Sequence, residues 1–173
     1  MPRHEDQENI VLRRQTLFTL EIPGGPTLKL KHLVFDFNGT LAVDGNLKPG
    51  VRGRLKQLAQ TFEIHVITAD TFGKAKLALE DIPCQLSILP PDEPHDQAKL
   101  RYIQELPPRH TAAIGNGRND VFMLEEAALG IVVLLEEGIA KEAFLAADIL
   151  VRDINDALDL FLQPLRLKAT LRR

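Results

Sequence analysis

The feature that most constrains this chain is a repeated alternation of two kinds of segment. Short, mostly apolar runs stand at His32 to Phe37, Glu63 to Thr68, Gln85 to Leu89, Thr111 to Ile114, Gly130 to Leu134 and Asp148 to Val151. Between them lie stretches with apolar residues at helical spacing: Gly50 to Thr61, Phe72 to Leu79, His95 to Leu106, Asn119 to Ala128, Ile139 to Ala146 and Ile154 to Leu162. Runs that are apolar without strict alternation suit strands buried on both faces. Strands that alternate regularly with helices predict an α/β fold, a doubly wound, Rossmann-like parallel sheet. At 173 residues the chain has room for one such domain.

Upstream, two apolar alternating runs, Ile10 to Ile22 and Thr27 to Phe37, flank Pro23-Gly24-Gly25-Pro26, which predicts an N-terminal β-hairpin feeding the first strand of the sheet. Connections are short, so no second folded domain fits within the sheet. One insertion, Leu41 to Lys48, carries Asp44-Gly45 and predicts a two-stranded flap. The expected division is a mobile segment at 1–15, the α/β domain at 16–163 and a solvated, frayed basic tail at 164–173, with Arg166, Lys168, Arg172 and Arg173 and no acid.

Charge narrows the partners. Lys and Arg number 21 against 24 Asp and Glu, a net charge of −3 at pH 7, so the chain is not patterned for nucleic acid. No apolar run approaches the ~18 residues of a spanning helix, which points to no membrane partner and a cytoplasmic protein. The lone Cys84, within an apolar stretch, is expected to be buried and reduced.

In an open parallel sheet, ligands bind beyond the carboxyl ends of the strands. Four polar groups fall at such places: Asp36-Phe37-Asn38-Gly39-Thr40 after the first strand, Thr68-Ala69-Asp70 after the second, Lys99 on the helix before the fourth, and Gly115-Asn116-Gly117-Arg118-Asn119-Asp120 after the fourth. A carboxylate at the end of an apolar strand serves as nucleophile or metal ligand. Asn116, Asn119 and Asp120 offer hard oxygens, although Asn119 is equally suited to cap the next helix. Together the four groups match one task, holding a phosphoryl group and Mg²⁺.

The ordered set DFNGT, TAD, Lys99 and GNGRND resembles the four motifs of the haloacid dehalogenase (HAD) superfamily, over about Lys31 to Val151. Within it, the likeness is greatest to the phosphorylation domain of P-type ATPases and its soluble relatives. The resemblance implies a HAD-type fold without a cap domain, with Asp36 as the nucleophile that forms an aspartyl-phosphate. It also implies that Thr68 and Lys99 hold the phosphoryl, with Gly39, Thr40 and Ala69 around it. Mg²⁺ would be held by Asp36, Asn38, Asn116 and Asp120.

Two positions depart from the family. Most of its phosphatases carry a second aspartate where this chain has Asn38, and an amide cannot shuttle a proton to the leaving group. Asn116 likewise replaces an aspartate on Mg²⁺. The expected activity is therefore a phosphohydrolase of low turnover. The alternatives are a soluble ATPase-like phosphotransferase or a non-catalytic phosphate or phosphoprotein binder. Asn38→Asp is expected to raise steady-state phosphate release by up to ~10²-fold where proton transfer limits the rate.

An uncapped site suggests closure by a second copy in a homo-oligomer, over a small phosphorylated substrate or a phosphoprotein. Arg118 would attract an anionic substrate or face solvent. The five histidines show no spacing that suggests zinc, with His32 and His65 read as structural. Glu136-Glu137 reads as loop charge, and Asp153 as the N-cap of the helix that follows.

Overall fold

The computed structural model describes residues 17–173; the expected mobile segment at 1–15 lies outside them. Alternation within β3 (His32–Asp36) sends Leu33 and Phe35 to one apolar core and Val34 to another, and all five of its residues are buried. The same division runs through β6 (Glu63–Thr68), β8 (Thr111–Gly115) and β9 (Leu129–Val133). Ile64, Val66, Ala112, Ile114, Ile131 and Val133 face the first core, whereas Ile67, Ala113 and Val132 face the second.

With β7 (Gln85–Ile88) and β10 (Ile149–Val151), these strands form one sheet in the order β10-β9-β8-β3-β6-β7. Every pair in it is parallel. Helices α1 (Val51–Leu58) and α6 (Ile154–Leu162) cover the first face; Val51, Leu55 and Leu58 are buried against it. Helices α3 (His95–Glu105), α4 (Val121–Glu126) and α5 (Lys141–Ala146) cover the second. The sheet grows from β3 first toward β6 and β7, then on the other side toward β8, so the order reverses at the central strand. That reversal opens a crevice at the carboxyl end of β3.

The flap forms as expected: β4 (Ala42–Val43) and β5 (Asn46–Leu47) pair antiparallel about Asp44 and Gly45. Both turn residues have positive φ, 50° and 76°, as a tight two-residue hairpin requires. Asp153 caps α6, its carboxylate accepting the Asn155 N–H at 2.7 Å.

Several expectations are corrected. The hairpin of β1 (Phe18–Leu20) and β2 (Leu28–Leu30) is a separate two-stranded sheet, shorter than the alternation suggested. Residues 10–16 of its expected first strand lie outside the described residues. The basic tail is not frayed: α7 (Pro164–Leu171) starts on a proline, buries Leu167 completely and packs Leu171 on the first core. Arg173 then donates its N–H to the Pro23 carbonyl at 3.0 Å, closing the chain end onto the hairpin turn.

Cys84 is half-buried, with burial raising its thiol pKa. Helix α2 (Ala75–Leu79) starts three residues later than expected. Asp70, at φ 49°, and Gly73, at φ 64°, turn the chain first, and the Asp70 carboxylate accepts the N–H groups of Lys74 and Ala75 at 3.0 Å each.

Candidate active site

Asp36 is the last residue of the central strand, so its side chain emerges at the bottom of the crevice, 8 % exposed. The side chain of Lys99, wholly buried on α3, reaches under the sheet end to it. The Lys99 ammonium donates to Asp36 Oδ1 at 2.8 Å and to Asp120 Oδ1 at 2.6 Å. Residues 36, 99 and 120 thus form one buried ion cluster from three elements.

The charges perturb one another. Burial, which disfavours the ionised form, pushes the Asp36 carboxyl up to about 6 against the opposing pull of Lys99, and the Asp120 charge adds to the rise. Burial also opposes the charge on Lys99, but the two carboxylates outweigh it and hold the ammonium protonated, above its ordinary value.

Asp120 is fully engaged. Its second oxygen accepts the N–H groups of Asn116 and Gly117 at 2.9 and 2.8 Å, which folds the Gly115–Asp120 loop around the carboxylate. A Cβ on Gly115 would lie 2.5 Å from Asp120 Oδ2, so this close approach needs glycine. Asn119 lies within the 3₁₀ turn Arg118–Asp120 and does not cap α4, contrary to the capping alternative. Arg118 faces outward and pairs with Glu142 at 3.1 Å.

Asn116 is a crosslink. Its Oδ1 accepts a long bond from the Thr40 hydroxyl at 3.4 Å, while its Nδ2 donates to the Gly138 carbonyl at 3.0 Å. An aspartate there would set a carboxylate against that carbonyl, which gives a physical reason for the amide.

Thr68 is buried, and its hydroxyl oxygen accepts the Asp70 N–H at 2.9 Å, leaving the hydroxyl proton for a ligand. The backbone donors differ from expectation. Gly39 gives its N–H to Ala42 at 2.7 Å, and Thr40 gives its own to Phe37 at 3.3 Å, so both hold the loop. Among the described residues, the N–H groups of Asn38 and Ala69 have no partner within the chain. The Asn38 side-chain oxygen is likewise buried with no partner.

One residue read as loop charge lies at the site. Gly39, at φ 79°, leaves an open side where a Cβ would come within 2.8 Å of both Asn116 side-chain atoms and within 2.6 Å of Glu137 Oε2. Glu137 follows β9 and therefore shares the carboxyl-end rule that picked out the other loops. Partial burial and the charge of Asp44 at the flap tip raise its pKa. Its neighbour Glu136 pairs with Lys48 at 2.6 Å and ties the base of the flap to the same loop.

The central six-stranded parallel sheet has the fold of solved HAD-superfamily hydrolases. The 3-deoxy-D-manno-octulosonate 8-phosphate phosphatase of Moraxella catarrhalis, in complex with magnesium, phosphate and KDO, aligns at TM-score 0.58 and 16% identity, over 78% of this chain and 86% of its own. The cobalt-bound octulosonate 8-phosphate phosphatase of Haemophilus influenzae gives 0.60 and 16%, over 78% and 88%. A phosphoserine phosphatase in its apo form gives 0.60 and 15%, over 76% and 98%.

In sequence, the chain is 51% identical over 79 residues to the uncharacterized protein MJ0073 of Methanocaldococcus jannaschii, covering 43% of this chain and 85% of that protein. It is 46% identical over 39 residues to MJ0072 of the same organism, covering 22% and 89%. The chain belongs to the family of these archaeal proteins. No family model matches it.

Proposed function

We propose that the chain is a Mg²⁺-dependent phosphohydrolase of low intrinsic turnover that works through an aspartyl-phosphate on Asp36. The observation that carries this reading is the buried Asp36–Lys99–Asp120 cluster at the switch point of the sheet. The Asp36 carboxylate attacks phosphorus; the new O–P bond forms as the ester P–O bond breaks, and the leaving alkoxide takes its proton from water, since Asn38 has none to give. Water then cleaves the acyl phosphate and restores Asp36. Lys99, the Thr68 hydroxyl and the N–H groups of Asn38 and Ala69 compensate the charge on the phosphoryl oxygens.

The oxygens around the crevice suit a hard cation. Asn116 and Glu137 flank Gly39, Asp36 ends the strand that leads into the same loop, and the unpartnered Asn38 oxygen adds to the set. These residues would hold Mg²⁺, with Asp120, whose oxygens are already taken, reaching it through water. When bound, the ion would supply positive charge to the transferring phosphoryl. Glu137 would restore the negative charge given up at Asn116. Glu137→Gln is therefore expected to raise the Mg²⁺ concentration for half-activity about tenfold, read by titrating Mg²⁺ against phosphate release. An unchanged midpoint would put Glu137 outside the cation's reach.

The solved structures with this fold include phosphatases of small phosphorylated compounds, and we assign this chain a small phosphate ester as substrate. Release of phosphate from an aryl phosphate, present with Mg²⁺ and absent after chelation, tests the reading. Its pH dependence is fixed by Asp36. A carboxyl raised to about 6 is protonated and inert below that pH, so kcat/KM should climb as pH rises through about 6 and then level. Lys99 stays charged across that range. A profile that falls as pH rises from about 5 to about 7 would mean that Asp36 is not the attacking carboxylate.

A further inference from the structure

At the opposite end of the same two central strands stands a second cluster that the phosphoryl chemistry does not use. In the parallel register of β3 and β6, His32 lies opposite Glu63 and Val34 opposite His65. Alternation puts His32 on the face of Val34, and puts Glu63 and His65 on the face of Ile67. All three side chains therefore project to one side, at the amino-terminal edge of the sheet, beneath Tyr102 of α3.

Their ligating atoms converge. His32 Nδ1 lies 3.1 Å from His65 Nε2 and 3.2 Å from Glu63 Oε2, and the three groups present atoms all within 4.8 Å of one another. Ligands about 2.0–2.1 Å from a tetrahedral zinc ion stand roughly 3.3 Å apart, so both spacings from His32 Nδ1 lie within a few tenths of an ångström of that value. His32 and His65 are 4 % and 1 % exposed.

The hydrogen-bond geometry admits the tautomer that a metal needs. His65 Nδ1 is 2.9 Å from the Tyr102 hydroxyl, so a proton on Nδ1 donated there leaves the Nε2 lone pair facing the cluster. A ligating imidazole whose other nitrogen is fixed by an outer partner is the usual arrangement in metal sites. In that tautomer, without a metal, the three facing atoms share at most the single proton of His32 Nδ1. Burial disfavours the charged form of both rings. The other titratable neighbours are Lys31, whose ammonium pairs with the second Glu63 oxygen at 2.9 Å, and His110, whose carbonyl accepts the Lys31 N–H.

We propose that His32, Glu63 and His65 form a second metal site, of two imidazoles and one carboxylate, that takes a zinc-class divalent ion and pins β3 to β6 at the end remote from Asp36. Two nitrogens and one oxygen select zinc or cobalt over magnesium. The expectation that no histidine grouping suits zinc is therefore revised: His65 and Glu63 are two apart on one strand, and His32 joins them only through strand register.

The test is a Co²⁺ titration of the chelator-stripped full chain with Mg²⁺ in excess to occupy hard-oxygen positions. One equivalent should develop the visible absorption of four-coordinate Co²⁺ and lose it on addition of Zn²⁺. His65→Leu and Glu63→Gln should abolish the band, Tyr102→Phe should weaken binding about tenfold, and Asp120→Asn should leave it intact. Glu63 is partly exposed, so Glu63→Gln remains a test if His65→Leu fails to fold. No band in the wild type, a band that survives Glu63→Gln, or one lost in Asp120→Asn would each overturn the site.

Discussion

Asp36→Asn should reduce Mg²⁺-dependent phosphate release by at least about 10³-fold, because an amide offers no anionic oxygen to attack phosphorus. The substitution keeps the size of the side chain and removes one negative charge from the crevice floor. Binding of inorganic phosphate should therefore be unchanged or tighter, since the bound anion no longer faces the Asp36 carboxylate beside Lys99. The expected signature is a collapse of kcat with KM level or lower. Wild-type protein quenched in acid during turnover should gain the mass of one phosphoryl group, mapped to the peptide containing Asp36, and the variant should not. Turnover within a few-fold of wild type would sink the nucleophile assignment, whereas loss of phosphate affinity with kcat preserved would make Asp36 a binding group.

Lys99→Met should be the most damaging single substitution for stability. The aliphatic stem is replaced almost atom for atom, but the buried carboxylates of Asp36 and Asp120 lose the ammonium between them. Removing one partner from a buried ion cluster costs ~3–5 kcal/mol, since the remaining charge is left without compensation. The loss depends on pH with a definite sign. Without Lys99, whose charge opposes the rise, the folded-state pKa of Asp36 lies further above its unfolded value, so the folded state binds more protons and stability falls as pH rises through that range. Urea unfolding at pH 5 and pH 8 should show the larger deficit at pH 8. Adding Asp36→Asn and Asp120→Asn should recover part of it. A deficit below ~1 kcal/mol, or one equal at both pH values, would mean that the cluster is better solvated than its burial indicates.

The sheet and its four motif loops were legible because both rest on local patterns. Apolar runs such as Val34-Phe35 and Val66-Ile67 announce doubly buried strands, and a polar residue that ends such a run, as Asp36 and Thr68 do, is placed at the crevice by the topology. Features that depend on register or on distant packing were not legible in that way. His32 and Glu63 are 31 positions apart and meet only because β3 and β6 pair in parallel. The pattern of Leu167 and Leu171, one helical turn apart behind Pro164, signals a docked helix, but the surrounding basic residues masked it as a solvated end. Glu137 escaped notice for a different reason: its strand was identified, yet the loop beyond it was read for charge and not for position.

The reversal of strand order at β3 divides the crevice into two chemically unlike walls. On the β6 side stand donors, the Thr68 hydroxyl and the Ala69 N–H; on the β8 and β9 side stand acceptors, Asn116 and Glu137. A symmetrical anion would feel an electric field across its own width, drawn to one wall and repelled by the other until a cation lines the second. With the occupants proposed above, the crevice would act as a polarity filter: metal and phosphate would recruit each other, and neither wall would accommodate the other's occupant.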